Sequence, residues 1–261
     1  MRLSLTRHET WLLLAVAVLA ALAVFGPAIA QPPQLNDFAD QRMLLGIPHA
    51  LDVLSNLPFA LAAGAGLWRL RQRTGALYAA QRGCARLFFI GLLATAAASS
   101  YYHWAPDDGG LAFDRAGMAV AFAGLLGMAA ATRVSDRAGH ALALAMMVFG
   151  PASVAAWSAT GNVLPWAVVQ FGGMGLLLLV LAVGREHLAS LPVRWSLVLL
   201  AYALAKLLEA NDAAVLRASG ELLSGHTLKH VVAALAALPV LAALPAQPRG
   251  QNDPSTVVEA A

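Results

Sequence analysis

The run WLLLAVAVLAALAVF, Trp11–Phe25, is the first of a series of apolar stretches that follow one another with only short polar links. Eight such segments are long enough to cross about 30 Å of hydrocarbon, roughly residues 11–30, 49–69, 86–104, 111–132, 139–159, 163–183, 193–209 and 223–245. A backbone in lipid has to satisfy its own hydrogen bonds, and within one segment only a helix does so. The sequence therefore predicts an all-α membrane protein. Its architecture is a seven-transmembrane-helix bundle preceded by one extra N-terminal hydrophobic helix or signal sequence. The composition agrees, with 59% hydrophobic and 12% charged residues, against about 25% charged in a soluble domain. No internal repeat is visible.

Arginine and lysine set the expected orientation. With the N-terminus in the cytoplasm, 12 of the 17 basic residues fall on the cytoplasmic side: Arg2, Arg7, Arg69, Arg71, Arg73, Arg82, Arg86, Arg133, Arg137, Arg185, Arg194 and Arg249. The other five, Arg42, Arg115, Lys206, Arg217 and Lys229, fall at outer ends or in outer loops, among Asp37, Asp40, Asp107, Asp108, Asp212 and Glu221. Both termini are thus expected to be cytoplasmic, in the inner membrane of a bacterium. The net charge of +3 follows from this asymmetry and does not call for nucleic acid. A single cysteine, Cys84, expected in a basic loop, excludes an intrachain disulfide framework and a cysteine-rich metal site. Residues 1–30 combine a basic start, an apolar run and a small-residue site before Gln31. They read as a retained helix or a signal peptide. Residues 31–48 form an extracytoplasmic loop, 49–245 the seven-helix domain and 246–261 a disordered cytoplasmic tail.

Polar residues sort to one side. Of seven histidines, His8, His140 and His187 stand beside arginines, as solvated loop residues would. His49, His103, His226 and His230 fall at outer helix ends. His226 and His230 are four apart, which stacks both rings on one helical face. Neutral imidazole is a good zinc ligand, and catalytic zinc commonly takes three protein ligands plus water. His103, at the outer end of the third segment, lies at the right depth to be the third ligand. Ser99 is one turn below it on the same face, and Asp114 re-enters the membrane at the same level. Each also has a plainer reading. Ser99 would serve as a small packing residue, with neighbouring Ser100 facing elsewhere. Asp114 would serve as a helix cap or a partner for Arg115. Five such residues at one depth favour a functional site, because ionisable groups in a bilayer are costly.

The order Ser99-x-x-x-His103, Asp114 eleven residues on, and a distant His226-x-x-x-His230 opening the last helix resembles the alkaline ceramidase family. That family belongs to a superfamily of seven-helix membrane hydrolases that includes the adiponectin receptors. The segment DVLSNLPFALAAGAGL, with its Ser55-Asn56 pair, resembles the family's first core helix. FADQR, Phe38–Arg42, resembles the preceding loop of bacterial members. The resemblance covers about residues 36–245. It implies a zinc amidase that cleaves the N-acyl bond of ceramide or a related membrane lipid, giving a fatty acid and a sphingoid base. His103, His226 and His230 would hold the zinc, with Ser99 and Asp114 beside the bound water. The acidic calcium site of eukaryotic members is poorly matched: His49 and Asp52 occupy that region, with Asp37 and Asp40 upstream, which leaves calcium open.

For amide hydrolysis, Ser99 would donate to the developing oxyanion, and Asp114 would act as general base and acid or would orient a ligand histidine. Lys229, between the two histidines, is expected to face away, reaching outward or pairing with Glu209 or Asp212. The glycines Gly64, Gly66, Gly124, Gly127, Gly172, Gly173 and Gly175 suit close helix packing. A receptor or sensor with structural zinc, with His49 or Asp114 as fourth ligand, is the alternative. A proton-coupled transporter is disfavoured because the inner helix halves carry few polar groups.

Overall fold

The computed structural model describes residues 4–72, 77–185 and 191–244. The arginine assignments at positions 2, 73 and 249, His187 and the tail 246–261 lie outside these residues. The chain is a bundle of helices: α1 (Arg7–Phe25), α2 (Ala50–Leu54), α3 (Leu57–Gln72), α4 (Ala79–Trp104), α5 (Asp108–Arg133), α6 (Asp136–Thr160), α7 (Leu164–Ala167), α8 (Gly173–Val183), α9 (Trp195–Ala210), α10 (Asp212–Ala218), α11 (Gly225–Leu235) and α12 (Ala237–Ala243). Counting α2–α3, α7–α8 and α11–α12 as continuous passages, seven helical stretches among the described residues are long and apolar enough to cross a membrane.

The expected segments and the helices differ in instructive ways. The segment 193–209 is helical, but α9 has only 16 residues before Asn211 turns the chain into α10. That gives about 24 Å at 1.5 Å per residue, a shorter passage than the other seven, though it still runs from the arginine end, where Leu191 N meets Gln81 of α4, to the histidine end, where Asp212 meets His226. Two expected passages are broken. Pro58 has no N–H to give a preceding turn, and the chain pauses at Ser55–Asn56 between α2 and α3. Pro239 does the same at Ala236, between α11 and α12. A π turn at Val168–Gly172 joins α7 to α8. Cys84 is not in a loop: α4 starts at Ala79, and the thiol is buried against the Gly139 carbonyl. His8 and His140 are likewise in the first turns of α1 and α6, and His140 is exposed.

Packing brings like ends together. At one end, Glu9 of α1 accepts hydrogen bonds from Ser135 Oγ at 2.6 Å and Arg137 Nε at 3.0 Å. There too Arg185 N donates to the Arg133 carbonyl and Arg69 Nη1 to that of Leu241. This is the arginine end. The opposite end gathers the C-terminus of α4, the N-termini of α5 and α11, α2, and the turn from α9 to α10.

The α4–α5 pair is the tightest interface, and glycine is the reason. A Cβ on Gly124 would stand 2.1 Å from Phe88 N, and one on Gly91 would stand 2.2 Å from Ala121 N. These helices touch backbone to backbone, as small residues permit in membranes. Of the other glycines, Gly66 packs on Phe89, whereas Gly64 and Gly175 face open space.

Candidate metal centre

Four elements converge at the histidine end. Ser224 caps α11 by accepting from Thr227 N at 2.9 Å. His226 is in the first turn and His230 one turn on. Gly225 permits the close approach, since a Cβ there would lie 2.2 Å from the Leu208 carbonyl oxygen of α9. His103 ends α4. All three imidazoles are buried, and one ring nitrogen of each lies within 4.8 Å of the others.

The geometry suits a metal ion. His103 Nε2 and His226 Nε2 are 3.2 Å apart. Ligand nitrogens at 2.0–2.1 Å from a tetrahedral ion are separated by about 3.3–3.4 Å. His230 is fixed by Ser55. The Ser55 hydroxyl donates to the Asp52 carbonyl at 3.0 Å and lies 2.8 Å from His230 Nδ1. Having spent its proton on the carbonyl, Ser55 accepts from Nδ1–H, which leaves the Nε2 lone pair free for a metal. His103 Nδ1 is buried with no hydrogen-bond partner. Three histidines and no fourth protein ligand among the described residues would leave a coordination position open.

Carboxylates that the sequence placed in the outer region prove to position the helix that carries His226 and His230. Asp52 is fully buried, and its Oδ1 accepts from Thr227 Oγ1 at 2.6 Å and Ser224 Oγ at 3.3 Å, tying α2 to α11. Asp212 is at the start of α10, not in a loop. Its Oδ1 accepts from His226 N at 2.7 Å and its Oδ2 from Ala39 N at 2.9 Å. The carboxylate satisfies an orphan donor at the α11 N-terminus and complements the positive end of that helix. In the sequence Asp52 stood out as a carboxyl inside an apolar run and at the place of the calcium site of the family it resembles, and Asp212 as an outer acid within reach of Lys229. Neither was marked as a clip on α11.

A loop seals the centre from outside. The Phe38 ring is buried, with its centroid 4.5 Å from those of both His103 and His226. Arg42 clips this loop down by bonding to Asp40 and to the carbonyls of Glu221 and Leu222. The Arg42 guanidinium holds the Asp40 carboxyl below the usual carboxylate range. His49 is outside the trio. It takes a left-handed φ of 44° and places Nδ1 3.2 Å from the Asp40 carbonyl.

On the inner side lies a cavity of about 150 Å³ whose wall includes His230, Ser99 and Asp114. Ser99 faces it, and Ser100 instead donates to the Val53 carbonyl at 3.2 Å. Asp114 is not a cap, since Asp107 caps α5 through Gly110 N. Nor does it form an ion pair with Arg115, whose guanidinium stacks 4.1 Å over Trp157. Asp114 Oδ1 is buried without a hydrogen-bond partner, and Ser99 shares its cavity wall. Lys229 pairs with Glu209 at 2.5 Å, but it does not face away: both residues line this cavity. The rest of the wall is mostly apolar, with Phe59, Phe88 and Phe122 among its residues, but it also includes Lys206, Thr95, Gln170 and Tyr202.

In comparison with known proteins, no family model matches the chain and no curated protein matches it in sequence.

Proposed function

We propose that this protein is a zinc-dependent intramembrane amidase that hydrolyses the N-acyl bond of ceramide or a related lipid. The observation that carries the reading is a single juxtaposition. Three buried histidines adjoin, through His230, a largely apolar cavity that also presents Ser99 and an unpartnered oxygen of Asp114. The donor set suits zinc: neutral nitrogen ligands, three in number, in a closed pocket.

Bound zinc would supply Lewis-acid polarisation of the acyl carbonyl and a water acidified to about pKa 7. The chain's own groups would do the rest. The Ser99 hydroxyl would donate to the oxygen on which negative charge develops. Asp114, whose Oδ1 is buried without a hydrogen-bond partner, would take a proton from water and return it to the leaving nitrogen. The aromatic wall would hold an acyl chain and exclude water, and Phe38 would keep bulk solvent from the histidines. By the asymmetry of its arginines, the protein would sit in a bacterial inner membrane with this centre near the extracytoplasmic face.

The test is zinc content together with fatty-acid release from a panel of N-acyl lipids in detergent micelles. His230→Ala is expected to lose both. Ser99→Ala should keep its zinc and lose activity by about 10²–10³-fold, the usual cost of one oxyanion donor. Full activity in His230→Ala would refute the assignment. Zinc retention with no hydrolysis of any lipid would point to a sensor with structural zinc.

A further inference from the structure

The histidine end of the bundle carries an apolar patch that none of the described residues covers. Met43 is 66% exposed, Leu222 68% and Leu44 44%, and Leu45 is fully exposed. Arg42 brings the two segments together. Its guanidinium donates to the Glu221 carbonyl and, at 2.9 Å, to that of Leu222. The loop 38–47 and the turn before α11 thus present their apolar side chains on one stretch of surface.

The backbone is bent to expose them. Leu44 N donates to the Ile47 carbonyl at 3.1 Å, and Ile47 N donates to that of Leu44 at 2.9 Å, which closes a two-residue turn through Leu45 and Gly46. Both central residues have positive φ, 52° and 78°. Such a turn favours asparagine, aspartate or glycine, and a leucine there is strained. Gly220 and Glu221, at φ 66° and 63°, make a second left-handed bend directly before Leu222. A leucine set against its turn preference and held away from the protein marks a surface with a partner.

Depth identifies that partner. The passage Ala50–Gln72 has 23 residues, about 34 Å of helix, and Gly225–Ala243 has 19, about 28 Å. Hydrocarbon is about 30 Å thick, so each passage begins near its edge. Leu45 stands five residues before Ala50, and Leu222 three before Gly225. Both therefore fall in the headgroup layer, about 5–7 Å deep on each side. Beyond them the surface stays apolar, with Leu54, Leu57 and Leu61 exposed on α2 and α3.

We infer that the tip of the 38–47 loop and the turn before α11 dock together on the bilayer, seating Met43, Leu44, Leu45 and Leu222 where headgroups meet acyl chains. The docking needs no chemistry at the histidines, but it bears on them. Phe38, in the same loop, covers His103 and His226. That cover is held from two sides, by Arg42 to the protein and by the leucines to lipid.

The experiment uses the full chain in nanodiscs of phosphatidylcholine. Cys84 is buried, so a cysteine introduced by Leu45→Cys or Leu222→Cys takes a spin label selectively. Collision with oxygen, which concentrates in lipid, is compared with collision with a water-soluble nickel chelate. Oxygen is expected to dominate at both positions. Dominance of nickel at either would overturn the docking. So would shielding from both reagents, which would mean that protein covers the patch. Leu45→Asn separates anchoring from turn strain, because asparagine suits a left-handed φ. A tip without a lipid partner would then exchange its amides across 38–47 more slowly. A tip that has lost its lipid contact should exchange at least about threefold faster, a small part of what burying a leucine is worth. Unchanged or slower exchange of Leu45→Asn in the nanodisc overturns the inference.

Discussion

Replacing Ser55 by alanine tests how the bundle holds the three histidines of the proposed zinc site. The Ser55 hydroxyl accepts from His230 Nδ1 at 2.8 Å and passes its own proton to the Asp52 carbonyl at 3.0 Å. Alanine removes both contacts at one atom. The carbonyl is not orphaned, because Asn56 Nδ2 also donates to it at 2.9 Å. The imidazole N–H loses this partner, and a buried unsatisfied donor costs about 1–3 kcal/mol. The ring can then turn or change tautomer, either of which withdraws the Nε2 lone pair. Loss of such a supporting partner weakens metal binding by about 10–100-fold, or about 1.4–2.8 kcal/mol at about 1.4 kcal/mol per decade. The two routes give overlapping magnitudes. Zinc affinity, measured by competition with a chromophoric chelator in micelles, should therefore fall by one to two decades. Ser100→Ala is the control. Among the described residues its hydroxyl bonds to the Val53 carbonyl alone, so zinc affinity should not change. Zinc binding by Ser55→Ala within twofold of the wild type would refute the tautomer-fixing role.

Two further outcomes are expected. Gly124→Ala would push a methyl group to 2.1 Å from Phe88 N, and backbone cannot yield as a flexible side chain can. Overpacking of this kind costs about 1–3 kcal/mol, so the unfolding midpoint in detergent should drop, and an unchanged midpoint would mean α4 and α5 are not in backbone contact. The tether of the Phe38 loop should depend on pH with a definite sign. The Asp40 carboxyl is held below its ordinary range by Arg42. Its stabilising contribution is therefore present at and above the ordinary carboxylate pKa, and it is lost as pH falls through the lowered folded value. Hydrogen exchange across 38–47 should rise only below the usual carboxylate range, and Asp40→Asn should give high exchange already at neutral pH.

The bundle was legible in the chain because apolar length and turn residues are local properties. Segments of this kind become helices wherever the backbone has no water to bond to, and the i, i+4 histidines share a face in any helix. Local properties also explain what was misread. The α9 passage, expected as a span, does join the two ends of the bundle, but in only 16 residues, because the chain turns at Asn211 into α10. The breaks at Ser55 and Ala236 follow from Pro58 and Pro239, each of which lacks the N–H for the turn before it, and a count of apolar length passes over them.

The candidate site divides in the same way. Residue type and depth singled out His103, His226 and His230, which the fold brings within reach of one ion. They also singled out Ser99 and Asp114, which share the cavity wall with His230. Neither property could reveal that Ser55 holds His230 from 175 positions away, or that Asp212 and Asp52 pin the first turn of α11. Nor could they turn Lys229 from a bystander into part of the cavity wall. The sequence by itself determined which residues lie at one end of the bundle, because depth follows from distance along a helix. Which of those residues face one another was decided only by the tertiary structure. That choice depends on the rotation of each helix about its own axis, set by the glycine contacts of α4 with α5 and by the polar clips that lock α11 against α2 and α10.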